Sequence, residues 1–160
     1  MKFFIYIKEK SERVKGKNFI NFNSKPLWRN LIDELNGEEV FIDTDSNLVH
    51  EECKEITYIN CYKRLQQHIN LEISSKFKVS PALLMIERFL DYHVSDENEL
   101  IVTPHVTSPF IKLNTIKDAC EKLSEPYDSI QACTKHQEFA YHEGSPVNFN
   151  PKVIQKTQDL

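Results

Sequence analysis

The stretch from Phe3 to Leu27 restricts the fold of this chain more than any other. Phe3, Phe4, Ile5, Tyr6 and Ile7 form an apolar run of strand length that stops abruptly in charge. Lys8, Lys10, Arg13, Lys15 and Lys17 then place five cations within ten residues, interleaved with Ser11 and Asn18. From Pro26 the pattern turns helical, with Leu27, Leu31 and Leu35 on one face and Ile32 beside them. Proline suits a first helical turn, and Asn36-Gly37 is a stop signal. Strand, cationic loop, helix is the order in which α/β proteins hold phosphates, because strand carboxyl ends and helix N-termini converge there.

The glycines do not follow the two commonest phosphate loops. Gly16 stands alone in the loop, so neither G-x-G-x-x-G nor G-x-x-x-x-G-K-[ST] is present. Cations and the Ser11 hydroxyl would have to do what backbone N–H groups do in those loops. A solvated basic loop is the alternative reading of the same residues.

The segment S-E-R-V-K-G-K-N (residues 11–18), after a hydrophobic strand and before N-x-K-P-L, resembles the nucleotide loop of the acylneuraminate cytidylyltransferases, the CMP-sialic acid synthetases. The commonest form there reads A-R-G-G-S-K-G-I-P-x-K-N, and related CMP-Kdo synthetases carry a similar S-x-R-L-P-G-K. Ser11, Lys17 and Asn18 match the first form directly. Lys8 stands where that form has arginine and Lys15 where it has proline, and the double glycine is absent. A second segment, Pro104-His105-Val106-Thr107-Ser108-Pro109-Phe110, resembles the Q-P-T-S-P-L that follows the family's central strand. Thr107, Ser108 and Pro109 match it, His105 stands at the glutamine, and Ile111 replaces an arginine often found there. Histidine titrates near neutrality and has both donor and acceptor, but His105 is equally consistent with a residue that only steadies its loop.

Bulk properties set the frame. The chain has 160 residues, 40% hydrophobic and 28% charged, which suits one domain with a real core. A net charge of −4 argues against nonspecific nucleic-acid binding, so the basic cluster serves a local anion. No apolar run approaches the ~20 residues of a membrane span, and the N-terminus lacks a signal-peptide layout, so a cytoplasmic protein is expected. Cys53, Cys61, Cys120 and Cys133 form no C-x-x-C and are expected as reduced thiols, mainly in the core. The histidines show no zinc spacing.

Further elements are expected in order. A strand over Glu39–Asp43 ends in Asp43-Thr44-Asp45-Ser46. As a calcium loop this segment fails, with Leu48 at the sixth position and Lys54 at the twelfth. Asp43 and Asp45 are local candidates for a metal, although capping of a short helix over Leu48–Lys54 by Asp45 or Ser46 is favoured. Ile56–Cys61 reads as a strand leading to Arg64, where the family carries arginine-proline. Gln66–Lys78 has no clear period and is expected as loop with helical turns. Ser80–His93 is a helix with Leu83, Leu84, Ile86, Phe89 and Leu90 on its apolar face. Leu100–Thr103 is expected as a buried central strand, Thr115–Leu123 as a helix capped by Asn114, and Asp128–Thr134 as a strand. A hairpin turning at Glu143-Gly144 completes the pattern.

Strand–helix alternation implies a three-layer α/β/α domain with a mainly parallel sheet. The resemblance implies the Rossmann-like nucleotide-diphospho-sugar transferase type, as one cytidylyltransferase-like domain over 1–160. It further implies transfer of CMP from CTP to a sialic-acid-like sugar acid, with pyrophosphate released. Lys8, Arg13 and Lys17 would neutralise the triphosphate, and Ser11 and Asn18 would bond to phosphate and nucleotide. Lys25, Arg64, His105, Thr107 and Ser108 would complete the binding residues. The family is dimeric and uses magnesium, whose aspartate ligands in longer members lie beyond the position of Leu160, so the chain is expected to lack the C-terminal third. A Kdo-like acceptor, or a non-catalytic nucleotide-binding module, remains open.

Overall fold

Phe3, Phe4, Ile5 and Ile7 are all buried, so β1 (Lys2–Ile7) runs through a sheet covered on both faces, as parallel strands do. The computed structural model describes residues 1–11, 14–74, 80–123, 126–131, 139–142 and 145–148. The chain divides into two units, Met1–Ile116 and Lys117–Leu160.

In the first unit β1 is flanked by β4 (Val40–Thr44) and β6 (Ile101–Val102), and β5 (Ile59–Lys63) lies outside β4. All pairings in this sheet are parallel, with Ile5 opposite Ile42 and Ile42 opposite Cys61. Between β1 and β4 come a short 3-10 turn (Lys17–Phe19), a small antiparallel hairpin of β2 (Asn21–Phe22) and β3 (Lys25–Pro26), and α1 (Leu27–Glu34). The hairpin is absent from the sequence reading. Its turn residues Asn23 and Ser24 both have positive φ, 54° and 66°, the geometry of a tight two-residue hairpin.

The helices form two layers. α2 (Asn47–Lys54) links β4 to β5, and α3 (Gln66–Ser74) and α4 (Pro81–His93) link β5 to β6. Right-handed crossovers put α1 and α2 on one face and, because the chain reverses direction after β5, α4 on the other. Phe4, Phe41, Met85 and Phe89 accordingly form one buried cluster under α4. Trp28, Leu31, Ile32 and Leu35, with Val49 and Cys53 of α2, supply the buried residues of the first helix layer. Trp28 is fully buried and packs in this layer.

Several expectations are corrected. β5 starts at Ile59 rather than Ile56, because the Ile56 N–H caps α2 by bonding to the Cys53 carbonyl at 3.1 Å. Gln66–Ser74 is helix rather than loop, while the end of that segment, 75–79, lies outside the described residues. Among the described strands β6 is a half-buried strand of two residues at the edge of the sheet, not a buried central one, and β1 and β4 hold the centre. Leu83 and Leu90 of α4 are exposed, and Met85 takes the core position instead. α5 (Leu113–Glu121) begins two residues early, so Asn114 sits inside the helix. The Leu113 N–H is met instead by Glu34 Oε1 at 3.0 Å.

In the second unit β7 (Phe139–His142) and β8 (Ser145–Asn148) pair antiparallel with His142 opposite Ser145, which brackets the expected turn at 143–144. Residues 127–131 carry no strand, and the rest of the strand expected over Asp128–Thr134 lies outside the described residues, as do Cys133 and the ending Lys156–Leu160. No described helix is long and apolar enough to cross a membrane.

Candidate functional site

The chain steps outward from β1 to β4 to β5, then returns to pair β6 on the other side of β1. That reversal leaves a crevice outside the carboxyl ends of β1 and β6, the position where open α/β sheets bind ligands. Both segments singled out in the sequence leave the sheet there. The cationic loop follows Ile7, and the His105-Val106-Thr107-Ser108 segment follows Val102.

Contacts join the two sides. The His105 ring meets the Tyr6 ring edge-on at 5.8 Å. Phe22 of the hairpin meets Phe110 edge-on at 5.4 Å. Val106 is buried and anchors its loop, while the Ser108 N–H bonds the His105 carbonyl at 3.0 Å and the Ile111 N–H the Ser108 carbonyl at 3.1 Å. These turns leave His105, Thr107 and Ser108 exposed.

The cationic loop folds back on its own root. Gly16 has φ +64°, a left-handed conformation that a Cβ disfavours, and its carbonyl accepts from the Phe19 N–H at 2.8 Å. No atom lies within 4 Å of a Cβ built there, so the requirement is the dihedral, not space. The 3-10 turn beyond it carries Lys17 and swings Asn18 inward. Asn18 Nδ2 donates to the Lys8 carbonyl at 2.8 Å, yet its Oδ1 is buried without a protein partner. A buried acceptor left unpaired is unfavourable and marks a place for a donor from elsewhere.

Lys8, Ser11 and Lys17 are half-buried around this turn, and Arg13 lies outside the described residues. Lys25 is engaged elsewhere: its Nζ reaches Asp33 Oδ2 at 2.5 Å, beside Arg29 on the Asp33 Oδ1 at 2.7 Å. Burial pushes the Asp33 carboxyl up, but those two cations outweigh it and hold it below the usual range.

Arg64 faces inward with its side chain fully enclosed. Nε donates to Asp43 Oδ1 at 2.6 Å, Nη1 to Glu72 Oε2 at 3.0 Å, and Nη2 approaches the carbonyls of Asp43 at 3.3 Å and Ile7 at 3.5 Å. Asp43 is fully buried, and its carboxyl is raised by that burial against the pull of Arg64. Its Oδ2 has no hydrogen bond, although Arg88 Nη1 stands 3.6 Å away. Arg88 also lies over the Tyr62 ring at 4.8 Å. Sequence reasoning missed Glu72 and Arg88, because their partners Arg64 and Asp43 lie on other elements and share no helical spacing with them.

Asp45 and Ser46 have backbone duties. Asp45 Oδ1 accepts from the Glu9 N–H at 2.7 Å, and Ser46 Oγ accepts from the Val49 N–H at 3.5 Å as the cap of α2. Just before them Thr44 Oγ1 donates to the Ile7 carbonyl at 2.9 Å and accepts from the Ser46 N–H at 3.1 Å. Among the described residues no group of three or more His, Cys, Asp or Glu side chains lies together to hold a metal.

A sequence model of the family described as Cytidylyltransferase matches residues 7–153. Among solved structures, the chain is similar to a CMP:2-keto-3-deoxy-manno-octonic acid synthetase complexed with CTP, at 12% identity and a TM-score of 0.51. The likeness covers 76% of this chain and 46% of that one, so this chain corresponds to less than half the length of that synthetase. A search of curated proteins returns no match.

Proposed function

Because this chain belongs to the cytidylyltransferase family, we propose that it transfers CMP from CTP to a sialic-acid-like sugar acid and releases pyrophosphate. The observation that carries the reading is the strand order, which brings the start of the cationic loop after β1 and the loop after β6 to the same end of the sheet, where the Tyr6 and His105 rings meet. The acceptor's hydroxyl oxygen attacks the α-phosphorus of CTP and gives up its proton to solvent, the bond from that phosphorus to the bridging oxygen breaks, and pyrophosphate leaves with the electron pair. Such transfers depend on positioning and on charge placed where negative charge gathers. Lys8, Lys17 and Arg13 supply that charge, and Ser11 donates to a phosphate oxygen. The unpaired Asn18 Oδ1 accepts from an amino or hydroxyl group of the nucleoside. His105, Thr107 and Ser108 face ribose or sugar from the opposite loop.

The described residues do not fit magnesium. Asp43 is committed to Arg64 and Asp45 to the Glu9 N–H, and no third donor joins either. A magnesium ion on the phosphates would take its protein ligands from elsewhere than these residues, and a homodimer, also implied by the resemblance, belongs to the same proposal.

A Kdo-like acceptor is the second reading. Ser11, Arg13, Gly16 and Lys17 fit the S-x-R-L-P-G-K form of the Kdo branch, and one structural neighbour is a synthetase of that acid. Pyrophosphate release from CTP, measured with N-acetylneuraminate and with Kdo as acceptors, tests both. Release that requires the nine-carbon acid is expected. Release only with Kdo would replace the first reading with the second, and a chain that binds CTP but releases nothing with either acid would leave a nucleotide-binding module.

A further inference from the structure

The root of the cationic loop is held from outside. Ile7 ends β1, and its carbonyl accepts from Thr44 Oγ1 at 2.9 Å. Two residues on, the Glu9 N–H donates to Asp45 Oδ1 at 2.7 Å. Between these points the Lys8 carbonyl accepts from Asn18 Nδ2 at 2.8 Å. Three consecutive backbone positions are thus fixed, two of them by the segment Asp43-Thr44-Asp45-Ser46 at the end of the neighbouring strand. That segment is itself braced. Arg64 grips Asp43, its N–H bonds the Thr44 carbonyl at 2.8 Å, and Ser46 caps α2.

We propose that Asp45 is a positioning residue that sets the cationic loop for the triphosphate by accepting the Glu9 N–H. The inference rests on the reading of the crevice as a CTP site. It assigns to a carboxylate beside a polyanion a task that needs its acceptor oxygen and not its charge. A metal ligand at this position would need the charge. A carboxylate near the phosphates is otherwise unfavourable, since like charges repel across a short gap. The Glu9 amide makes it useful: without this bond the root of the loop loses one of its three anchors, and the loop's cations lose their set position against the phosphates.

The test compares Asp45→Asn with Asp45→Ala. Asparagine keeps an oxygen at the Oδ1 position and loses the charge, and alanine loses both. Asp45 is half-buried and lies outside the core, so both variants are expected to fold. Calorimetric titration with CTP and with CMP is run on the unaltered chain and on each variant. Asp45→Ala is expected to weaken CTP about five- to tenfold, the scale of one hydrogen bond of ordinary strength, and to leave CMP unchanged. Asp45→Asn is expected to bind CTP at least as tightly as the unaltered chain. A loss in Asp45→Asn equal to that in Asp45→Ala would overturn the proposal in favour of a charge-dependent role. CTP affinity unchanged in both variants, or CTP and CMP weakened equally, would overturn it as well. Failure of the unaltered chain to bind CTP would instead remove the nucleotide reading on which the proposal stands.

Discussion

At the scale of single residues, His93 illustrates how surroundings decide chemistry. Its ring packs 4.7 Å from Phe41 and 5.7 Å from Tyr62 at the end of α4. Burial lowers its pKa, and the neighbouring charges of Lys2 and Arg88 lower it further. The folded state therefore disfavours the imidazolium more than the unfolded chain does. The resulting stability is complete above the ordinary histidine value of about 6.5 and is lost as pH falls through the lower folded value. Melting temperatures measured from pH 7.5 downward should fall below about pH 6.5 in the unaltered chain. His93→Phe, which keeps a ring, should flatten that part of the curve, and parallel curves would contradict the assignment. The candidate site was legible at this scale only as letters: Ser11, Lys17, Asn18, Thr107 and Ser108 stood out from the sequence. The tasks of Thr44 and Asp45 were not. A side chain that accepts from a backbone amide 36 positions away leaves no spacing to read. Arg64 was legible as an important cation, but only the fold reveals that it faces Asp43 and not the crevice.

At the scale of elements, packing separates residues that the helical pattern treats alike. Leu83 and Phe89 both belong to the apolar side of α4 in sequence. Phe89 is fully buried, with its ring 4.7 Å from Phe4 and 5.1 Å from Phe41, whereas Leu83 is 56% exposed. Phe89→Ala should cost about 3–5 kcal/mol in urea unfolding, through lost contacts and the cavity left behind. Leu83→Ala should stay within about 0.5 kcal/mol. Equal losses would mean that α4 is rotated relative to the sheet. The elements easiest to read were those with strong signals: β1 with its apolar run, and α4 with its clear hydrophobic stripe. α3 was missed because its polar and apolar residues share no helical period. β6 was misplaced because Ile101 and Val102 resemble core letters, although the second neighbour that would bury them is not among the described strands. The β2–β3 hairpin escaped because two-residue strands are too short to alternate.

At the scale of the molecule, strand order does what no motif does alone. Sequence alternation gave a parallel α/β sheet with helices on both sides, but not which strand pairs with which. The order β5-β4-β1-β6 puts the reversal beside β1, and so brings the segments that follow Ile7 and Val102 to the same end of the sheet from nearly a hundred positions apart. The central claim is that this crevice is a cytidine triphosphate site. Calorimetric titration of the chain with CTP, with ATP as control and Lys17→Ala as a second sample, tests it most directly. The account predicts saturable binding of CTP, little or none of ATP, and a loss of CTP affinity of about tenfold or more in Lys17→Ala, as expected for a cation bonded to phosphate. Equal binding of CTP and ATP, or CTP binding untouched by Lys17→Ala in a folded chain, would contradict it.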